Sequence, residues 1–502
     1  MLKKIKEEKY KILIFIVEAI CMIIELVASR ILSPYFGNSN VVWTSVIGII
    51  LLSSSIGNFM GGKIADKNDL NKSLKAILFM AAIFTLFIPI FQKIILICIS
   101  NTFTNIKIGA IISTLILFFI PSLFLGFLNP IIIKLSLKDI DSAGTVSGKV
   151  YAIATIGGIF GTFLGGFVLV PNFGSVQILY VITIILLLLT FMIDIKNTYK
   201  KSLVIVIIII ISITLFTYTT YANNSKEDRI LSGEDLISIS YDTQYGRVII
   251  KNGYIKNEHV RILNIDSGYE SSTFIDEGKE NDLVFEYTKY YNLMFKSKND
   301  INNVMLIGGA GYSYPKYFIS HYLDKNLDVV EIDGDITKIA RKFFYLDKLI
   351  NDYNLNENKR LNLINEDGRT YLNRNTKKYD AILNDAFSGN TPAKTLTTLE
   401  LIKKIKASLN QDGLYLTNII SSLEGNDSKF LRAEVNTLKQ VFKNVYVIPC
   451  NTQNDTEKTQ NNMVIATDQD IFFENAYNLK LDENEIILTD NYCPVDSLIP
   501  KK

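Results

Sequence analysis

Seven apolar runs crowd into the first 222 residues, near 12–29, 41–62, 76–98, 108–128, 150–170, 176–193 and 202–220. A helix of about 20 apolar residues matches the thickness of a bilayer core. It also satisfies its own backbone where no water can do so. The pattern predicts a polytopic α-helical membrane domain over 1–222, of about seven helices. A mean hydropathy of +0.22 over the whole chain agrees with that expectation. The third run carries Pro89, Gln92 and Lys93, so its end is undefined, and a break at Pro89 would make the number of crossings even. Lysines gather before the first run, at Lys63, Lys67, Lys72 and Lys75, at Lys134 and Lys138, and at Lys196, Lys200 and Lys201. That bias places the N-terminus in the cytoplasm. The first run holds Glu18 and Glu25 and leads straight into further runs, unlike a cleavable signal peptide.

Glu18 and Glu25 are seven residues apart and share one face of the first helix. Carboxylates at membrane depth face protein or a water-filled path. They therefore read either as a cation or polyamine site or as helix-to-helix hydrogen-bonding groups. Gly157, Gly161 and Gly165 recur every four residues, the mark of a close-packing helix face. The stretch Gly61-Gly62-Lys63-Ile64-Ala65-Asp66-Lys67 resembles the short basic loop after the second helix of major-facilitator transporters.

Residues 223–237 are polar and read as a linker, and 223–280 as linker plus a small antiparallel β subdomain with turns at Asn252-Gly253 and Ser267-Gly268. From 281 to 502, after a helix over 281–295, strand and helix patterns alternate, which predicts a parallel, doubly wound α/β sheet. Its central unit is Asn303 to Asp333: a buried strand, a turn with Gly308, Gly309 and Gly311, a helix, and a second strand ending in Glu331-Ile332-Asp333. Such a turn lets backbone approach a ligand at a helix N-terminus, and a carboxylate ending the next strand can accept both hydroxyls of a ribose. Further acids follow strands at Asp367, beside Gly368, and at Asp385. Ligands in these sheets sit at the C-terminal strand ends, so the turn, Glu331, Asp367 and Asp385 converge on one nucleoside-containing ligand.

Composition excludes other chemistries. A net charge of +2 argues against a nucleic-acid partner, and His259 and His321 are the only histidines, too few for a histidine-rich metal site. Cys21, Cys98, Cys450 and Cys493 show no CxxC and no zinc spacing, so no metal is expected. Cys450 and Cys493 could pair in an oxidising exterior and would stay free inside the cell.

The soluble half resembles spermidine synthase and related polyamine aminopropyltransferases. The whole chain resembles the bacterial branch in which that synthase is fused to a multi-span, major-facilitator-like membrane domain. The residues that carry this are Tyr241-Asp242-Thr243-Gln244-Tyr245-Gly246-Arg247, Asp266-Ser267-Gly268, IGGAG at 307–311, VEID at 330–333 and EDG at 366–368. YDAILNDAFSG at 379–389, Pro392, TLTTLEL at 395–401 and the membrane segment at 27–48 extend it. The resemblance implies a Rossmann-like methyltransferase fold preceded by a small β subdomain. It implies decarboxylated S-adenosylmethionine as donor and an amine such as putrescine as acceptor, with a homodimer formed through the synthase domain. Glu331 would hold the ribose, Asp367 with Gly368 the adenine, and Gly308, Gly309 and Gly311 the turn. Asp385 would take a proton from the attacking amine, and Glu270, Tyr287 and Ser388 would line the amine site. The chain departs from the family pattern: Gly311 stands for an aspartate, Tyr312 and Ser313 for two glycines, Ser388 for a second carboxylate and Glu270 for a glutamine, and a Tyr-His-Glu stretch is only loosely matched at Glu286-Tyr287-Thr288. Those departures leave two alternatives open, a methyltransferase using S-adenosylmethionine and a non-catalytic adenosyl or polyamine sensor coupled to the membrane domain. Location is open in the same way. Seven crossings would put the synthase half outside, whereas an adenosyl donor is made inside.

Overall fold

The computed structural model describes residues 2–500 except 37–39, 68, 104, 138, 194–198, 236, 267, 298–299, 389–390, 452–454 and 483. Two compact units emerge: Met1–Asp228 with Ile239–Val248, and Arg229–Ser238 with Ile249–Lys502.

The first unit is helical. Among the described residues, six helices are long and apolar enough to cross a membrane: Glu8–Phe36, Val41–Asp66, Leu70–Thr102, Ile106–Ser136, Ile140–Leu169 and Ser175–Ile193. A further apolar stretch, Val206–Thr219, is shorter, so six such helices stand where seven runs led us to expect seven. The first helix is among the most enclosed. Ile14, Val17, Ile24, Val27, Ala28 and Ile31 are buried at three- and four-residue spacings, which aligns them along one side. Its backbone is met by the glycine face foreseen in the fifth run. A Cβ on Gly157 would collide with the carbonyl oxygen of Phe15, and one on Gly161 with that of Ala19. A second seam joins Asn40–Lys67 to Ile106–Gly126, where a Cβ on Gly57 would lie 2.5 Å from Leu123 O. Glu18 hydrogen-bonds Asn129 of the neighbouring helix Leu128–Ser136, the helix-to-helix alternative.

Three expectations need correction here. The helix Leu70–Thr102 runs unbroken through Pro89, with Gln92 turned into the core. Gly61–Lys67 is the last turns of a helix, not a loop, and Asp66 pairs with Lys134 at 2.7 Å. The polar stretch read as a linker is helical as far as Leu231, as the end of the helix Tyr199–Leu231.

A four-stranded sheet follows, β1 (Ser238–Asp242), β2 (Arg247–Ile255), β3 (Glu258–Ile265) and β4 (Gly268–Phe274), paired in that order, with Ile239–Val248 counted in the first unit and the rest in the second. Asn252-Gly253 does not turn the chain. Asn252 is buried inside β2, where its amide donates to Ile230 O and Glu234 O and accepts from Arg261 Nε. The hairpin turns instead at Lys256-Asn257, both left-handed, as a tight two-residue connection requires. Ser267 lies outside the described residues. The helix expected over 281–295 is one turn, Glu286–Lys289, continued as the 3₁₀ segment Tyr290–Lys296.

Seven strands then form the main sheet: β5 (Asn303–Ile307), β6 (Asn326–Glu331), β7 (Leu361–Asn365), β8 (Tyr379–Asn384), β11 (Leu409–Ser421), β12 (Asn444–Pro449) and β13 (Gln460–Thr467). Two short strands, β9 (Phe387–Ser388) and β10 (Thr391–Pro392), pair with each other beside it. The order is β12-β13-β11-β8-β5-β6-β7. The sheet is mixed, not wholly parallel. β13 runs antiparallel to both β11 and β12, because the connection from β12 is too short for a crossover. The other neighbours are parallel, and the chain reverses its winding direction between β5 and β8. A crevice opens at the C-terminal ends of strands at such a switch point.

Candidate functional site

The crevice is occupied by the glycine turn. Gly308 has φ +94°, and a Cβ there would lie 2.6 Å from the carbonyl oxygen of Asp385, so a side chain is excluded twice over. Gly311 packs under β4, where a Cβ would fall 2.6 Å from Ser271 Oγ. Ser271 and Ser313 share a 2.8 Å hydroxyl contact, and Ser313 also donates to Ser272 O. The small β sheet is thereby stitched onto the start of the helix Ser313–His321.

Glu331, at the end of β6, has its carboxylate spent on backbone. One oxygen accepts from the amides of Gly309 at 2.7 Å and Ala310 at 3.1 Å, and the other from Asp333 at 3.0 Å. Burial raises its pKa, and those three amides pull it back. Asp367 caps the helix Gly368–Arg374 by accepting from Thr370 N at 2.8 Å. Gly368 packs against Ile307, where a Cβ would come within 2.6 Å of its side chain.

Asp385 follows β8 on the other side of the turn, its amide donating to Ile307 O at 2.9 Å. The Tyr287 hydroxyl donates to its Oδ2 at 3.1 Å. Burial pushes Asp385 up to about 6, against hydrogen bonds from Tyr287, Tyr291 and Asn418. Tyr287 is driven well above the ordinary tyrosine range by burial and then by the charges of Asp385 and Glu270. It therefore stays a hydroxyl donor. Such a carboxylate, half neutral near pH 6 and held by side-chain donors, suits the transfer of a proton from an amine.

These groups surround a cavity of about 360 Å³ lined by Gly308, Gly309, Glu270, Tyr287 and Asp385 among others. Five of the residues expected from sequence thus meet on one wall. Gly311, Glu331, Asp367 and Gly368 do not line it; they shape the turn and the strand ends behind it. Of Ser388 only the backbone is described, in β9. The segment Tyr241–Arg247 falls mostly within the first unit and does not line the cavity. Sequence reading missed Asn418, Asn451 and Asn461 on the cavity wall, and Tyr291, which donates to Asn384 O at 3.3 Å.

Residues 289–475 match the spermine/spermidine synthase domain. The α/β unit belongs to the spermine/spermidine synthase family. A polyamine aminopropyltransferase of Hydrogenobaculum sp. is 27% identical over 166 residues, 32% of this chain and 57% of that protein. One of Vibrio vulnificus is 31% identical over 169 residues, 33% of this chain and 51% of that protein. The chain spans about half the length of these curated relatives. A solved structure of a probable spermidine synthase from Corynebacterium glutamicum is 21% identical, with a TM-score of 0.41, covering 48% of this chain and 83% of that one.

Proposed function

We propose that the chain is a membrane-anchored aminopropyltransferase, moving an aminopropyl group from decarboxylated S-adenosylmethionine to an amine. The observation that carries this is Asp385, held by Tyr287 beside the glycine turn on the cavity wall. The amine nitrogen attacks the aminopropyl carbon bonded to sulfur. A carbon–nitrogen bond forms, the carbon–sulfur bond breaks, and its electron pair leaves sulfur as a neutral thioether. The proton shed by the amine passes to Asp385 Oδ2. A sulfonium leaving group needs no acid, so positioning and charge supply most of the rate. The side-chain-free turn at Gly308 and Gly309 and the end of β6 would pack against the nucleoside, and Glu331 keeps that turn in shape. Six long apolar helices support a multi-pass position in the cell membrane.

The test is the purified full chain in detergent, assayed for methylthioadenosine release from decarboxylated S-adenosylmethionine with a panel of amines. Release that depends on the amine supports the reading, and none with any amine sinks it. A methyltransferase reading is favoured by one feature. Gly311 closed against Ser271 leaves no carboxylate at that turn for the aminopropyl ammonium. Methyl transfer from S-adenosylmethionine in the same assay would replace the first reading with this one.

A further inference from the structure

Asp385 has a second phenol beside it. Tyr291, in the 3₁₀ segment Tyr290–Lys296, lies four residues after Tyr287 and hydrogen-bonds the same carboxylate. It is fully buried and is not among the residues that line the cavity, so it stands out of reach of a substrate. Its ring meets that of Tyr314 edge-on, with centroids 5.2 Å apart, which leaves rotation of the hydroxyl as its freedom.

That hydroxyl carries one proton and has two acceptors. One is the carbonyl oxygen of Asn384 at 3.3 Å, long for a bond between two oxygens. The other is the carboxylate of the next residue, Asp385. Tyr287 has no such choice: among the described hydrogen bonds its hydroxyl donates to Asp385 alone. The titratable groups that face the Tyr291 hydroxyl are Asp385, Tyr287 and Cys450. Burial drives Tyr287 well above the ordinary tyrosine range and pushes the Cys450 thiol up to about 12. Tyr314, against the ring, is raised by burial in the same way, and Glu270 bears on Tyr287. Asp385 is therefore the neighbour whose charge changes near neutral pH.

We propose that Tyr291 is a positioning residue whose hydroxyl follows the charge of Asp385. While Asp385 is a carboxylate, the Tyr291 proton points to it. When Asp385 takes the proton of the attacking amine, the hydroxyl turns to the Asn384 carbonyl and keeps a partner. A buried donor left without an acceptor is costly, so a second acceptor lets a buried acid change charge with little rearrangement around it. No bond within Tyr291 breaks, and the one proton transferred is that of the amine. The inference rests on the aminopropyl reading and deepens it, by naming the group that sets the pH at which the acid works.

The test is the pH profile of kcat/KM for the amine in Tyr291→Phe, on the full chain in detergent with decarboxylated S-adenosylmethionine. Removing a donor to the carboxylate should move the break at about 6 upward by about half to one pH unit, the worth of one hydrogen bond. The plateau above the break should stay within about twofold of wild type, because Tyr291 touches no substrate. Binding of methylthioadenosine checks that the variant is folded; should it be lost, Tyr291→Met, a flexible filler of the same space, is read in its place. The turn itself is read by infrared difference spectra of the protein between about pH 5 and about pH 8. A phenol C–O band present in wild type and missing from Tyr291→Phe supports the proposal, and identical spectra overturn it. A break that stays in place or moves down overturns it as well, and a plateau about tenfold lower with the break unmoved would make Tyr291 a packing residue. Those outcomes sink only this inference; no transfer to any amine by the wild type, with methylthioadenosine still bound, sinks the aminopropyl reading beneath it.

Discussion

Two carboxylates end neighbouring parts of one sheet and are put to opposite uses. Glu331, after β6, meets three backbone amides and orders the turn. Asp385, after β8, faces the cavity, its carboxylate met by side chains, Tyr287 at 3.1 Å with Tyr291 and Asn418, and by no backbone amide among the described bonds. Both are raised by burial, Asp385 to about 6, where it can change protonation during a reaction. A strand-end acid in such a sheet is therefore not catalytic by position. What separates the two is how many of its lone pairs the backbone has already claimed.

Substituting each acid tests that contrast most directly. Asp385→Asn should cut kcat by about a hundredfold or more while leaving nucleoside affinity unchanged, the usual scale for a lost general base. Calorimetry with methylthioadenosine alongside steady-state kinetics checks both halves, and a fall in affinity equal to the fall in rate would make Asp385 another Glu331. The pH dependence should show the same division. Below about 6, kcat/KM for the amine should fall about tenfold per pH unit, with that break absent from Asp385→Asn. Stability moves the other way. The folded pKa of Asp385 lies above its unfolded value, so the folded state holds the extra proton between about pH 4 and 6 and loses that stabilisation as pH rises through 6. Asp385→Asn should accordingly raise Tm relative to wild type at pH 8, and less at pH 5.

Glu331→Ala should weaken nucleoside binding by about tenfold and lower Tm together, because the amides of Gly309, Ala310 and Asp333 lose a buried acceptor. A change in affinity with no change in Tm would show that Glu331 touches the ligand more than the turn. The smallest effect belongs to Asp367→Ala, about 1 kcal/mol of stability from a lost N-cap. Chemical denaturation measures it, and an unchanged midpoint would return Asp367 to the ligand.

The turn, the strands and the acids were readable because each is written within about 30 neighbouring residues. The glycine turn and Glu331 lie in one βαβ unit, and Asp385 follows a run of apolar residues closed by Asn384. What escaped depends on register between distant strands. Asn418 and Asn461 are 43 residues apart and meet only because β11 and β13 pair antiparallel. Asparagine in a strand carries no signal of its own. Arg261 and Lys316 were illegible for another reason, since charged residues are normally exposed. Both are buried. Arg261 is satisfied by Asn252 and the carbonyl of Phe343, and Lys316 by Thr273 and the carbonyl of Glu280. Burial pushes the Lys316 ammonium down to about 7. Asn252-Gly253 failed as a turn signal for a related reason: a buried arginine needed that side chain inside the strand.

The glycine seam of the helical unit also sets a timetable. Phe15 and Ala19 leave the ribosome roughly 140 residues ahead of Gly157 and Gly161, the surfaces that close on them. At about 5–20 residues per second, that is a wait of roughly 7–28 s. Glu18 sits between those two residues, and its partner Asn129 is also made late. Until Asn129 is made, a carboxylate in a strongly apolar helix lacks that mate. If the helical unit enters a membrane as we propose, the first helix waits with the insertion machinery or at an interface until its partners are made, and synthesis speed across residues 20–160 then sets the yield.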